Sequence, residues 1–425
     1  MAIISSHDRP ITLGDAGAKG HYTPALAALG VLYFMMGFIT CLNDSLVPFF
    51  KAGFRLSYAQ SSLVQFYFFL TYALISAPAG RLVERIGYQH GMVAGFVIAA
   101  VGALLFFPAS VYHVYALFLA ALFILAAGIV VLQVSANPYI TVLGPAATAS
   151  SRLTLIQGVG SIGTTVAPVF GAYFLLSSLQ SANGSSAAVR VPYLCIGACL
   201  LLIAGVVWRL KLPRIVMAKP AASTGVAASR IASKRYAIPQ RYGTPFRHLN
   251  FGIIAIFMYV GAEVSIGTFL TGYIADRVHV AADAANKYVA FYWGGMLVGR
   301  LLGAVLLRSV RPQKLLSVLS VAAMALVVVS LCSNGYAAIW SMIATGVCNS
   351  VMFAIVFSLS VQGLGAYTTR ASGLLSTAIA GGAVVSFLQG LLKDHYSWGI
   401  AFMAPLVCYA YLLFFGMEGY REKSR

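Results

Sequence analysis

Twelve apolar runs, separated by short polar turns across 425 residues, leave this chain few folds to choose from. Each is long enough to supply the ~20 helical residues that cross a ~30 Å hydrocarbon slab. Residues are 60% hydrophobic and only 9% charged, with a mean hydropathy of +0.87. Soluble domains run at roughly 45–50% apolar and about 25% charged. A large core cannot explain the gap, because a soluble surface would still need charge to stay in water. Water-soluble classes are therefore excluded.

The formal charge of +18 would fit a nucleic-acid binder, but its placement argues against one. With the N-terminus inside, 21 of the 28 Lys and Arg residues fall on the cytoplasmic side and six on the other, while Arg300 lies within a span. That bias is the positive-inside signal. The expectation is a multi-pass protein of the cell inner membrane with both termini cytoplasmic, its partner the lipid bilayer and not nucleic acid. The first 24 residues contain Asp8, Arg9, Asp15 and Lys19 and no apolar stretch, so the first span is expected to direct insertion without a cleaved signal. Cys41, Cys195, Cys199, Cys332, Cys348 and Cys408 sit in or beside spans without ligand spacing, which makes them packing residues and leaves no metal site. No cofactor is expected. The absence of a Gly-x-x-x-x-Gly-Lys-Ser/Thr loop argues against ATP-driven transport.

Residues 211–250 are polar, contain Pro213, Pro220, Pro239 and Pro245, and have no acidic residue. They read as a cytoplasmic linker, with an amphipathic segment around 231–242 as a second reading. The chain then divides into a tail (1–24), a half (25–210), the linker (211–250), a second half (251–416) and a tail (417–425). The halves look like copies. Gly80 and Arg85 are matched by Gly303 and Arg308 at an offset of 223, Leu143-Gly144 by Leu364-Gly365 at 221, Arg152 by Arg370 at 218, and Gly171 by Gly390 at 219. The fold class is an all-α membrane protein of twelve transmembrane helices in two six-helix halves, the major facilitator plan, with a substrate site between the halves near the midplane.

Chemistry in such a bundle is first sought at its buried charges. A charge at the bilayer centre costs at least ~2.5–3.5 kcal/mol on insertion scales, so it normally faces a cavity or a partner. Of ten acidic residues only Asp44 and Glu263 fall inside spans, on the first helix of each half and 219 residues apart. Both are candidates for proton coupling. Tyr33, Gly37, Thr40, Cys41 and Asp44 share one helix face by their three- and four-residue steps, and Tyr259, Glu263 and Gly267 repeat the pattern. Asn43 adjoins Asp44. Gln133 and Asn137 precede Pro138, whose missing N–H frees a backbone acceptor. With Gln157, Tyr292, Trp293, Asn349 and Gln389 they suggest an amide-rich cavity with aromatic faces, suited to a neutral polyhydroxylated ligand. Helix–helix packing is the alternative for each of them. Arg300 is grouped with gating residues.

The segment Gly80-Arg81-Leu82-Val83-Glu84-Arg85-Ile86-Gly87 resembles the major facilitator loop signature, with Glu84 where Asp is usual. It is read as a loop in which Gly80, Glu84 and Arg85 form a gating latch. Further blocks are similar to the fucose–galactose–glucose:proton symporter family: Asn43 to Pro48, Ser135 to Pro145, Ser151 to Gln157, Tyr259 to Gly267, Tyr292 to Arg300 and Gly363 to Gly390. Glu263 follows the glucose/galactose branch, whereas the fucose permease branch carries Gln there. Gln133 replaces an acid of the fucose permease branch, Gly160 an expected Asn, and Ala354 an expected Pro at a kink. The resemblance implies secondary active, proton-coupled uptake of a hexose by alternating access; a monomer without an enzyme site is expected. Asp44 would carry the proton, with sodium left open as coupling ion. A facilitator or efflux carrier for another solute, or a non-transporting sugar sensor, are the alternatives.

The topology is testable directly. Reporter fusions at residue 425 and within 215–245 are expected to report cytoplasm, and one near Asn183 the opposite side; a cytoplasmic signal at 183 would overturn the twelve-span count.

Overall fold

An apolar run in hydrocarbon must satisfy its own backbone, and a helix does so within one segment. The computed structural model describes residues 23–54, 58–170, 189–210, 212, 247–279 and 282–421. The side chains of 23–24, 43–53, 58–66, 168–169, 282–284, 286 and 366 lie outside that description, and so do most of the 211–250 linker, the 231–242 segment and Asn183. The first bundle comprises α1 (Thr23–Phe54), α2 (Tyr58–Ile86), α3 (Tyr88–Tyr112), α4 (Tyr115–Val142), α5 (Ala149–Phe170) and α6 (Arg190–Arg209). The second comprises α7 (Arg247–Val278), α8 (Ala282–Leu306), α9 (Pro312–Cys332), α10 (Gly335–Val361), α11 (Thr368–His395) and α12 (Trp398–Gly419). No strand occurs among the described residues.

Two sequence expectations change here. The loop read at 80–87 is mostly helix: nothing between Gly80 and Ile86 breaks α2, and Gly87, at φ 85°, makes the turn. The latch residues therefore sit on the last turns of a rigid helix. α7 begins at Arg247, inside the stretch read as linker. At α10 the helix is interrupted between Asn349 and Met352 although Ala354 stands where a Pro was expected. Proline is thus not required for that break.

The halves are joined at one end of the bundle by two helix pairs that the repeat relates. Along α5 and α8, Ser151 Oγ donates to Ala304 O at 2.5 Å, Gly303 faces Thr154, Gly158 faces Leu301, and Arg300 donates to Ser161 Oγ. Along α2 and α11, Glu84 pairs with Arg370, and Thr369 Oγ1 donates to Tyr88 Oη at 2.9 Å. Gly80 and Gly373 let the two backbones of this pair approach closely. A Cβ on Gly373 would stand 2.7 Å from Ser76 O and 3.1 Å from Gly80 Cα. Small residues allow such contact where lipid offers no hydrophobic drive to association.

Pro138 completes the seam. It leaves the Val134 carbonyl without its helical donor, and Ser372 Oγ from the other half donates to that oxygen at 3.2 Å. The symmetry fails at the charges. Arg370 reaches Glu84 across the seam, whereas Arg152 turns into its own half and donates to Ile140 O, Thr141 O, Pro145 O and Thr148 Oγ1 at the end of α4. The repeat offset puts Leu307 where an acid would be needed to hold Arg152 across the halves.

Cysteines at positions 84 and 370 are expected to join efficiently through a short bis-maleimide. Adding Gly373→Ala should reduce that yield strongly, because the new methyl meets backbone. An unchanged yield would mean that the seam tolerates separation at Gly80.

Candidate functional site

Just beyond the seam, the two halves contribute different chemistry. Glu263 lies mid-way along α7, one turn from Tyr259, and faces Arg300 of α8. Arg300 Nη2 is 3.7 Å from Glu263 Oε1, with side-chain exposures of 19% and 13%. A relaxed charge-assisted bond is shorter, at about 2.7–2.9 Å, so the pair is slack. Arg300 Nε also donates to Ser350 O at 3.3 Å, and Nη1 to Ser161 Oγ of α5. Ser350 sits in the break of α10, where the disturbed helix lets its carbonyl take this partner. One guanidinium therefore touches α7, α10 and, across the halves, α5.

A phenol–amide relay holds the Glu263 turn in place. Tyr409 Oη of α12 donates to Asn349 Oδ1 at 2.9 Å, Asn349 Nδ2 donates to Tyr292 Oη at 2.9 Å, and Tyr292 Oη donates to Glu263 O at 3.0 Å. Asn349 is fully buried and engaged on both sides of its amide, so it acts on the site through Tyr292. Trp293 stands two turns before Arg300, on the same α8 face by the seven-residue step. It is 46% exposed, and a Cβ on Gly267 would lie 2.9 Å from its ring. Gln389, on α11, falls between the Val385–Gly261 and Gly390–Phe269 contacts with α7.

In the first half, α1 and α5 cross at glycines. A Cβ on Gly37 would stand 2.2 Å from Gly160 O, and one on Gly160 3.0 Å from Tyr33 O. Gly160 therefore carries close packing at the position where the resemblance led to an Asn. Tyr33 Oη donates to Asn137 Oδ1, tying α1 to α4. Gln157 is one turn from Ser161, whose hydroxyl donates to Gln157 O at 3.1 Å. The side chains of Asn43 and Asp44 lie outside the described residues.

Several polar atoms here are buried without a protein partner: Gln133 Oε1, Asn137 Nδ2, Gln157 Oε1 and both amide atoms of Gln389. Leaving such a group unpaired costs about 1–3 kcal/mol, and these amides lie on α4, α5 and α11. The structure thus draws Glu263, Arg300 and Tyr259 together, and joins them through Ser161 to the turn bearing Gln157. Gly80 and Glu84 belong to the seam, and Arg85 is exposed. Sequence reasoning grouped Arg300 with the gating residues but missed Ser161 and Tyr409 and the partners of Arg300. A lone arginine inside a span, opposite an intramembrane acid, was the signal available.

Residues 29–387 match the family described as the Major Facilitator Superfamily. A glucose/galactose transporter of Brucella abortus (strain 9-941) is 45% identical over 410 residues, which cover 95% of this chain and 96% of that one. The L-fucose-proton symporter of Escherichia coli (strain K12) is 30% identical over 424 residues, 94% of each chain. Among solved structures, the crystal structure of FucP, a major facilitator transporter in the outward conformation, has a TM-score of 0.81 at 30% identity, covering 93% of this chain and 98% of that one.

Removing one partner of a buried ion pair costs about 3–5 kcal/mol because the other charge is left uncompensated. Arg300→Met is therefore expected to lower the melting temperature of the detergent-purified protein by several degrees, and adding Glu263→Gln to restore most of it. If the double variant is no more stable than Arg300→Met alone, the pair is not coupled.

Proposed function

This chain belongs to the Major Facilitator Superfamily, and from that premise we propose that it imports a hexose, glucose or galactose in preference to L-fucose, by proton-coupled alternating access. It is a transporter and not an enzyme. The observation that carries the substrate reading is the set of unpaired buried amides around an ion pair. Glu263 and Arg300 are of opposite sign, and among the residues whose side chains are described they are the charges well inside the spans. The pair by itself offers no net charge to an amino acid or an organic anion. The amides offer donors and acceptors side by side, which is what a polyol needs because each hydroxyl both donates and accepts. Trp293 adds an exposed aromatic face for sugar C–H groups.

In this reading Gln133, Asn137, Gln157, Tyr259 and Glu263 surround the sugar, with Asn43, Asn349 and Gln389 supporting them. Asp44 carries the proton, a role taken from the family resemblance and from its place on the same α1 face as Tyr33 and Gly37. The protein lies in the inner membrane with both termini cytoplasmic, which makes the seam the cytoplasmic gate and the described state open outward. It acts as a monomer, since one chain supplies both halves of the site.

In proteoliposomes, D-glucose and D-galactose are expected to compete in hexose counterflow better than L-fucose. Asp44→Asn should reduce pH-driven accumulation to the level of protein-free vesicles while keeping counterflow, which needs no proton cycling. Transport of an amino acid or organic anion in place of either hexose would end the sugar reading. Accumulation driven by a sodium gradient instead of a pH gradient would reassign the coupling ion.

A further inference from the structure

Arg300 is divided between a partner in its own half and one across the seam, and the division has a direction. Arginine stays charged in proteins, so inside a span it must always hold an acceptor. In the described state it reaches over to Ser161 and stands 3.7 Å from Glu263. Counting inward from Ser151–Ala304 through Thr154–Gly303 and Gly158–Leu301, Ser161–Arg300 is the deepest of these α5–α8 contacts. Separating α5 from α8 must break it. Ser350 O, already bonded to Nε, stays with Arg300 in its own half, and Glu263 is the acceptor left for the guanidinium nitrogens released from Ser161, on a turn that the Tyr409–Asn349–Tyr292 relay keeps fixed.

We propose that Arg300 is a partner-switching latch: it bonds Ser161 while the seam is closed, and it is received by the Glu263 carboxylate when the seam opens. The negative charge of Glu263 thereby makes opening accessible, and Ser161 is a positioning residue for Arg300. This rests on the alternating-access reading above, but not on which solute is carried. The groups facing Glu263 are Arg300 and Tyr292 of α8 and Tyr259 of its own helix. Neutralising Glu263, by substitution or by a proton, leaves Ser161 with less competition and holds the seam shut. Removing the Ser161 hydroxyl does the reverse.

The test needs a reporter that is covered only while the seam is closed. Thr154 is fully buried beside Gly303, so Thr154→Cys serves, with buried Cys348 and Cys408 as internal references. The full-length protein in detergent is alkylated with N-ethylmaleimide and read peptide by peptide. Loss of one hydrogen bond to a charged group shifts a two-state equilibrium by about tenfold. Ser161→Ala is thus expected to speed alkylation at position 154 by about tenfold, and Glu263→Gln to slow it. Ser161→Thr, which keeps the hydroxyl, should stay near the parent rate and controls for misfolding. If Ser161→Ala and Glu263→Gln shift the rate in the same direction, or if either leaves it unchanged, the latch is wrong. Hexose counterflow by the unsubstituted protein is measured beside it, so that failure to carry a hexose removes the substrate assignment and leaves the alkylation result to decide the latch.

Discussion

A guanidinium near the middle of a hydrocarbon slab has to be answered by acceptors at every moment, and much of the site is arranged around that demand. Arg300 is answered three times: by a carboxylate on α7, by a backbone carbonyl exposed at the break of α10, and by a hydroxyl of the other half. Each acceptor required something of the fold. The carboxylate needed the Tyr409–Asn349–Tyr292 relay to fix its turn. The carbonyl needed an interruption in a buried helix. The hydroxyl needed α5 and α8 to approach closely, which Gly158, tight against Leu301, permits.

The same logic governs the seam. Each half presents groups that its own helices cannot satisfy, and the other half supplies the partner. Val134 O, freed by Pro138, is met by Ser372, and Arg370 is met by Glu84. Such contacts are individually modest, about 0.6–2 kcal/mol for interhelical hydrogen bonds in membrane proteins. A seam of modest bonds suits an interface that has to part and reform. The two repeats are not equivalent within it. Arg152 donates to the end of α4 in its own half, whereas Arg370 reaches Glu84 across the seam.

A good deal of this was legible in the residues themselves. Run length and composition determined helices that span a membrane, because hydrocarbon leaves an apolar segment few other ways to satisfy its backbone. The near-constant offset between Gly80 and Gly303 and between Arg152 and Arg370 determined two copies of one half. Asp44 and Glu263 were singled out by cost alone, and Pro138 by its missing donor. Tertiary structure decided which partner each of these groups finds. No spacing says that Arg300 lies against Glu263 and Ser161, which are 37 and 139 positions away, since three-residue and four-residue steps give a helix face but not the helix it meets. Nor could sequence separate Asn349, engaged on both sides by phenols, from Gln389, Gln157 and Gln133, which keep unpaired atoms. An amide is the same residue in either role, and only the packing of several helices at once fixes whether its hydrogen bonds are made within the protein or not.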